Sequence, residues 1–137
     1  MSDRSDVYKP DGWPAVTPRL FTTDVAGLVH FLQAVFDAKG DLQADRPSEL
    51  RIDDAMVMVS DGGGVRQPTT AFLYVYVRNV ESTYRRAIAA GAEALEAPVD
   101  MPYGDRRATV RDQWGNIWQI ATSGARGDGS AAKSGDC

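Results

Sequence analysis

Leu20-Phe21-Thr22-Thr23-Asp24-Val25 and Val75-Tyr76-Val77-Arg78-Asn79-Val80 carry one pattern twice: a β-prone stretch, a short polar side chain, then a branched apolar residue. The polar side chain, Thr23 or Asp24 in the first copy and Asn79 in the second, suits a helix start. Its oxygen can accept from the free N–H groups of the first turn. After the first copy, Val25, Leu28, Val29, Leu32, Val35 and Phe36 recur at helical spacing. After the second, Val80, Tyr84, Ala87 and Ile88 do the same, and Gly91 is placed to end that helix.

Outward from these helices the strands also repeat. Residues 16–21 read as a strand before the first helix, with short strands after it near Asp41, at 48–52 and at 55–60. Residues 72–77 precede the second helix, and strands follow near Glu93, at 107–111 and at 117–122. Each half is therefore βαβββ, and internal duplication of this kind is a stronger fold signal than any single strand. The expected class is α+β: two βαβββ modules in tandem forming a curved mixed sheet with a concave cleft, helices on the outer face. The expected units are an extended N-terminal arm (1–15), a first module (16–61), a linker (62–70), a second module (71–122) and a disordered tail (123–137). Gly62-Gly63-Gly64 lacks the lysine and following helix of a phosphate loop and reads as a connector.

Bulk properties narrow the function. Of 137 residues, 43% are hydrophobic and 25% charged, an ordinary globular composition for one domain or two small half-modules. No apolar run reaches the about 18–20 residues of a membrane helix. The polar start, Met1 to Asp6, is no secretory signal, so the expected location is the cytoplasm and no membrane partner is expected. With a net charge of −4 and no basic stripe, nucleic acid is not an expected partner. The sole cysteine, Cys137, supports neither a disulfide framework nor a thiolate metal site within one chain.

Strand side chains alternate between faces. Leu20, Leu50, Ile52, Val57, Val59, Leu73, Val75, Val77, Val110, Trp118 and Ile120 form one apolar set that should lie under the helices. The opposite set is Thr17, Arg19, Phe21, Glu49, Arg51, Met56, Met58, Phe72, Tyr74, Tyr76, Arg107, Thr109, Ile117 and Gln119. Its mixture of aromatic rings, thioethers, guanidinium and amide fits a ligand cleft, with a dimer interface or second core surface as the other readings.

Gly104-Asp105-Arg106 followed by Asp112-Gln113-Trp114-Gly115-Asn116-Ile117-Trp118 resembles the D-P-x-G-N hairpin and last strand of the glyoxalase/bleomycin-resistance (vicinal-oxygen-chelate) superfamily, with Gln113 in place of the usual proline. The resemblance runs from about Val16 to Thr122 and takes in both strand-to-helix entries. It implies that a metal, in the metal-dependent members, would be held at the places of Thr17, Met58, Phe72 and Gln119. Only Gln119 offers a suitable donor, so neither metal nor cofactor is expected. His30, the only histidine, falls on the first helix opposite its apolar stripe and reads as solvated. Glu49 and Arg51 could do acid–base chemistry but read as an ordinary strand pair, and no catalytic residue is assigned.

The resemblance to the metal-free, antibiotic-binding type implies a protein that sequesters an aromatic natural product in clefts of a homodimer. A quinoline- or quinoxaline-bearing peptide antibiotic, of the thiocoraline type, is one such ligand. The expected contacts are Phe72, Tyr74, Tyr76, Met58, Met56, Gln119, Arg107 and Arg19, with Tyr103 or Trp114 stacking at the mouth. Trp13 on the arm is a further candidate. The alternatives are a glyoxalase/dioxygenase-like enzyme acting on a small carbonyl or aromatic substrate, and an interaction module with an empty cleft.

Overall fold

The computed structural model describes residues 8–62 and 69–124. The start of the arm, most of the linker and most of the tail, with Cys137, lie outside them. The first half runs β1 (Arg19–Thr22), α1 (Val25–Phe36), β2 (Ser48–Ile52) and β3 (Ala55–Asp61). The second runs β4 (Phe72–Tyr76), α2 (Val80–Ala89), β5 (Glu93–Asp100), β6 (Arg106–Arg111) and β7 (Ile117–Thr122). The tandem plan holds. It is realised as two mixed sheets, β1-β3-β2 and β4-β7-β6-β5, in which β1 runs parallel to β3 and β4 parallel to β7. No strand of one sheet brings a Cα within 8 Å of a strand of the other; the halves meet through α1 and α2.

Both helices start as their sequences require. Asp24 accepts from the Gly27 N–H at 3.0 Å, and Asn79 from the Ser82 N–H at 3.0 Å. Asp37 ends α1 in the left-handed region, φ 56°. Gly91, φ 102°, follows α2 and donates its N–H to the Ile88 carbonyl. A side chain then joins the two helices: Arg86 of α2 donates through Nε and Nη2 to the Val35 carbonyl in the last turn of α1, at 3.3 and 3.0 Å. That carbonyl has no partner within its own helix, so the guanidinium satisfies it.

Two expectations need correcting. β1 begins at Arg19 rather than at residue 16, and Val16 is exposed. Pro18, just ahead of it, has no N–H to give a ladder and contributes only its carbonyl, which accepts from Met58. No strand forms at Asp41 either. Lys39 makes a single antiparallel bridge to Arg51, and Gly40, φ 135°, passes so close to the Glu49 carbonyl that a Cβ would lie 2.3 Å from its oxygen. Beyond it, Asp41 to Pro47 offers little apolar surface to bury, so the third strand of the first half shrinks to a bridge.

The core is one cluster spanning both halves. Leu28, Val29, Leu32 and Val35 of α1 are sealed with Leu20, Leu50 and Val59 below them, and continue into Val110, Trp118 and Ile120 of the second sheet. Each such side chain contributes roughly 1.5–3 kcal/mol by leaving water. Trp118 of β7 packs on Phe36 of α1, ring centroids 5.1 Å apart. The β6–β7 turn anchors this contact. Asp112, buried, accepts from the Trp114 and Asn116 N–H groups through Oδ1, both at 2.9 Å. Its Oδ2 accepts from Asn116 Nδ2 at 3.0 Å and from Trp118 Nε1 at 2.8 Å. Asn116 Oδ1 in turn accepts from the Ala71 N–H at 2.9 Å, fixing the start of β4.

Asp112→Asn sets an amide N–H against these donors and should cost about 3 kcal/mol, the scale of hydrogen bonds to a charged group. Trp118→Ala should cost about 3–5 kcal/mol through the cavity it leaves. Urea unfolding followed by circular dichroism measures both; midpoints unchanged from wild type would contradict this account of the turn.

Candidate functional site

Strand β4 alternates as its sequence dictates. Leu73 and Val75 turn inward to the core, while Phe72, Tyr74 and Tyr76 turn to the opposite face, where they remain 65%, 38% and 48% exposed. Register places Tyr74 beside Gln119 of β7 and Thr109 of β6, and Tyr76 beside Ala121 and Arg107. The tyrosines do not stand free on this surface. Both hydroxyls donate to Oδ2 of buried Asp105, at 2.7 and 2.8 Å, so the phenols lean across β7 toward the start of β6. Ala121, the ladder partner of Tyr76, is fully buried. The two rings meet edge to face, centroids 5.4 Å apart.

The network continues along the sheet. Tyr103, on the turn between β5 and β6, lies 2.9 Å from the Tyr74 hydroxyl. Tyr74 has one hydroxyl proton and gives it to Asp105, so Tyr103 is the donor in that pair. Arg107 Nη1 donates to Tyr103 at 3.4 Å, while its Nε and Nη2 clamp Glu96 at 2.9 and 3.0 Å. Thr109 gives its hydroxyl proton to Glu96 Oε1 at 2.9 Å and lies 3.5 Å from Gln119 Nε2. The clamp by Arg107 holds the Glu96 carboxyl below its ordinary range against the opposing effect of burial, and Glu96 raises Arg107 in return. The Tyr74 hydroxyl is pushed well above the usual phenol range, first by burial and then by its bonds to Tyr103 and Asp105.

Of the residues expected at the site, Phe72, Tyr74, Tyr76, Tyr103, Arg107 and Gln119 share this face. Met56 belongs to the first sheet, but a groove of about 260 Å³ between the β2–β3 turn and β4 sets it opposite Tyr74 and Tyr76. Met58 and Arg19, paired with each other in the first sheet, stand apart from the aromatic group. Arg19 lies over the Phe21 ring and donates to Ser60 Oγ at 3.1 Å. Trp114 is on the helix side. Its Nε1 donates to Asp24 at 3.1 Å, and its ring meets Phe31 at 5.9 Å in a T-shaped contact. The turn built on Asp112 directs it there, away from the cleft mouth. Arg51 donates to the Gly12 carbonyl at 3.1 Å and so ties the arm to the first sheet; His30 is exposed on α1. Asp105 and Glu96 were missing from the sequence reading. The only trace of Asp105 was its place in Gly104-Asp105-Arg106.

The places that the resemblance assigns to a metal do not fit one. Phe72 has no lone pair to give, Met58 offers a soft thioether and Thr17 a weak hydroxyl, leaving the amide of Gln119. Among the described residues no three His, Cys, Asp or Glu side chains converge as a ligand set, and no helix is long and apolar enough to cross a membrane.

Comparison with known proteins agrees with this architecture. Residues 15–120 match the glyoxalase/bleomycin resistance protein/dioxygenase superfamily. An uncharacterised protein of Mycobacterium bovis is 30% identical over 124 residues, covering 78% of this chain and 82% of its own. The crystal structure of TioX from Micromonospora sp. ML1 is 27% identical with a TM-score of 0.68, covering 80% of this chain and 98% of that one. The fosfomycin resistance protein FosX of Listeria monocytogenes, solved with Mn(II) and sulfate, shares the fold at 15% identity and TM-score 0.66, over 82% of this chain and 92% of its own.

The raised Tyr74 hydroxyl has a consequence for stability. Because the folded value exceeds the unfolded one, the stabilisation is complete below the unfolded phenol value of about 10 and is lost as pH rises beyond it. There the unfolded chain releases the proton that the folded chain retains. Urea midpoints measured from about pH 9 to about pH 11 should fall more steeply for wild type than for Tyr74→Phe. Parallel curves would contradict the assignment.

Proposed function

The chain belongs to the glyoxalase/bleomycin resistance protein/dioxygenase superfamily, and from that premise we propose that it is a metal-free binding protein that sequesters a planar aromatic natural product in the cytoplasm. The observation that carries this reading is the uncovered aromatic face of β4, where Phe72, Tyr74 and Tyr76 lie exposed on one side of one strand. A contiguous apolar surface of this kind is uncommon on a protein that binds nothing. The Asp105 network satisfies the tyrosine hydroxyls from within the sheet, which leaves their ring faces for a ligand. Stacking on such rings adds roughly 0.5–1.5 kcal/mol per pair to simple burial. Sequestration calls for micromolar binding or better, about −8 kcal/mol. Heteroaromatic antibiotics of the quinoline or quinoxaline kind have the flat, extended rings this surface accommodates.

The same surface supports a two-fold homodimer. Among the described residues β1 and β4 each leave one edge without a ladder partner, and a second chain would cover both. The first sheet, with Met58 and Arg19, would then face the aromatic strand of the other copy. Sedimentation at micromolar concentration should show a dimer; a monomer would refute this assembly.

Quinoxaline-2-carboxamide should raise the melting temperature and bind in calorimetry. Phe72→Ala and Tyr76→Ala should each weaken it by roughly 1–3 kcal/mol, the range of anchor truncation. Trp114→Ala, on the helix side, should lower stability and leave affinity unchanged. Wild-type affinity in both strand variants would remove the stacking surface from consideration.

A further inference from the structure

We infer that Gln119 makes the site selective for aromatic ligands that carry a hydrogen-bond donor, a hydroxyl or N–H, beside the stacked ring. The inference rests on the binding reading above and adds the polar chemistry of the ligand. It follows from the order of protons beneath the aromatic face.

Glu96, held ionised by the two-pronged clamp of Arg107, can only accept. Thr109 therefore gives its single hydroxyl proton to Glu96 Oε1, at 2.9 Å. Having spent that proton, Thr109 can offer Gln119 only a lone pair. The Gln119 amide must turn its Nε2 toward Thr109, where it lies at 3.5 Å. Its Oε1 is thereby turned away, toward the cleft. Among the described residues no donor reaches that oxygen, and Gln119 is half-buried next to Tyr74 on the ladder. A ligand stacked on the tyrosines sets its edge against a fixed acceptor. A ring hydroxyl or amide N–H would satisfy it; an ether or tertiary amide would bury it unpaired, which is the costlier outcome.

Tyr74 is the weaker acceptor, because its proton is committed to Asp105 and its oxygen already accepts from Tyr103. Gln119 is thus the specificity-determining residue, and Thr109 and Glu96 are positioning residues that act through it.

The test uses the full chain and a matched pair of probes, 2-naphthol and 2-methoxynaphthalene, titrated by calorimetry. Wild type should prefer 2-naphthol by about tenfold, the scale of one buried hydrogen bond. Gln119→Leu should abolish the preference by weakening 2-naphthol alone. Gln119→Glu should keep it, since either carboxylate oxygen accepts. Thr109→Val frees the amide to turn its NH₂ outward, so the preference should shrink and 2-methoxynaphthalene should gain. Equal affinity of the two probes for wild type would overturn the inference while leaving the stacking surface intact. A preference that survives Gln119→Leu would overturn it as well, and one unchanged in Thr109→Val would overturn the positioning step. Failure of both probes to bind wild type would instead overturn the binding reading itself, and this inference with it.

Discussion

One buried carboxylate organises this fold. Asp112 takes four hydrogen bonds from three residues of its own turn and strand, so the β6–β7 hairpin has a single permitted shape. That shape sends Trp118 into the core against Phe36 and Trp114 back against Phe31 of α1 and Asp24, the residue that caps it. Through Asn116 it also fixes Ala71, the residue that leads into the aromatic strand. The position of Phe72, Tyr74 and Tyr76 therefore depends on a charge they never touch. Burying an ion is unfavourable unless its lone pairs are met, and here each oxygen meets two donors. Gly27 completes the arrangement: a Cβ there would lie 2.8 Å from the Trp114 ring and 2.2 Å from Asp24, so the first turn of α1 must be bare for the indole to dock.

The parts of the fold that obey a period were legible in the sequence. Both helices and the inward set of strand side chains follow from spacing, because burial on one face imposes it, and the caps follow from short polar side chains at the helix starts. The duplication made each half a check on the other. Where the halves diverge the pattern gives less: the stretch around Asp41 has no apolar alternation of its own, and only the Lys39–Arg51 bridge forms there. Trp114 departs from its expected place at the cleft mouth for a different reason. A turn residue has no period, and its direction is set by the hydrogen bonds of Asp112, which the sequence shows only as a motif.

The candidate site was half legible. Alternation put the β4 aromatics on one face with Gln119, Arg107 and Thr109. What it could not supply was the network among them. Asp105 reaches Tyr74 and Tyr76 only because two strand registers and a small Ala121 bring it there. Glu96 meets Thr109 across a β5–β6 ladder whose register shifts on both sides of it. Such contacts depend on tertiary register, and no local window encodes it. The network also changes the character of the surface. Read from composition it is a mixture of aromatic and polar groups; in the fold the polar groups are largely spent on one another, and what faces outward is mostly hydrocarbon.

The seam between the halves has a further meaning. Trp118 belongs to the last strand of the second half yet finds its ring partner in the first, and the Val35 carbonyl is completed by an arginine from the second. Neither repeat closes its own core. A single βαβββ unit of this kind, too small to bury enough surface alone, would leave that seam wet. Each half needs the other to close the core they share. The linker therefore does more than connect two units: it holds together the two faces of one hydrophobic seam.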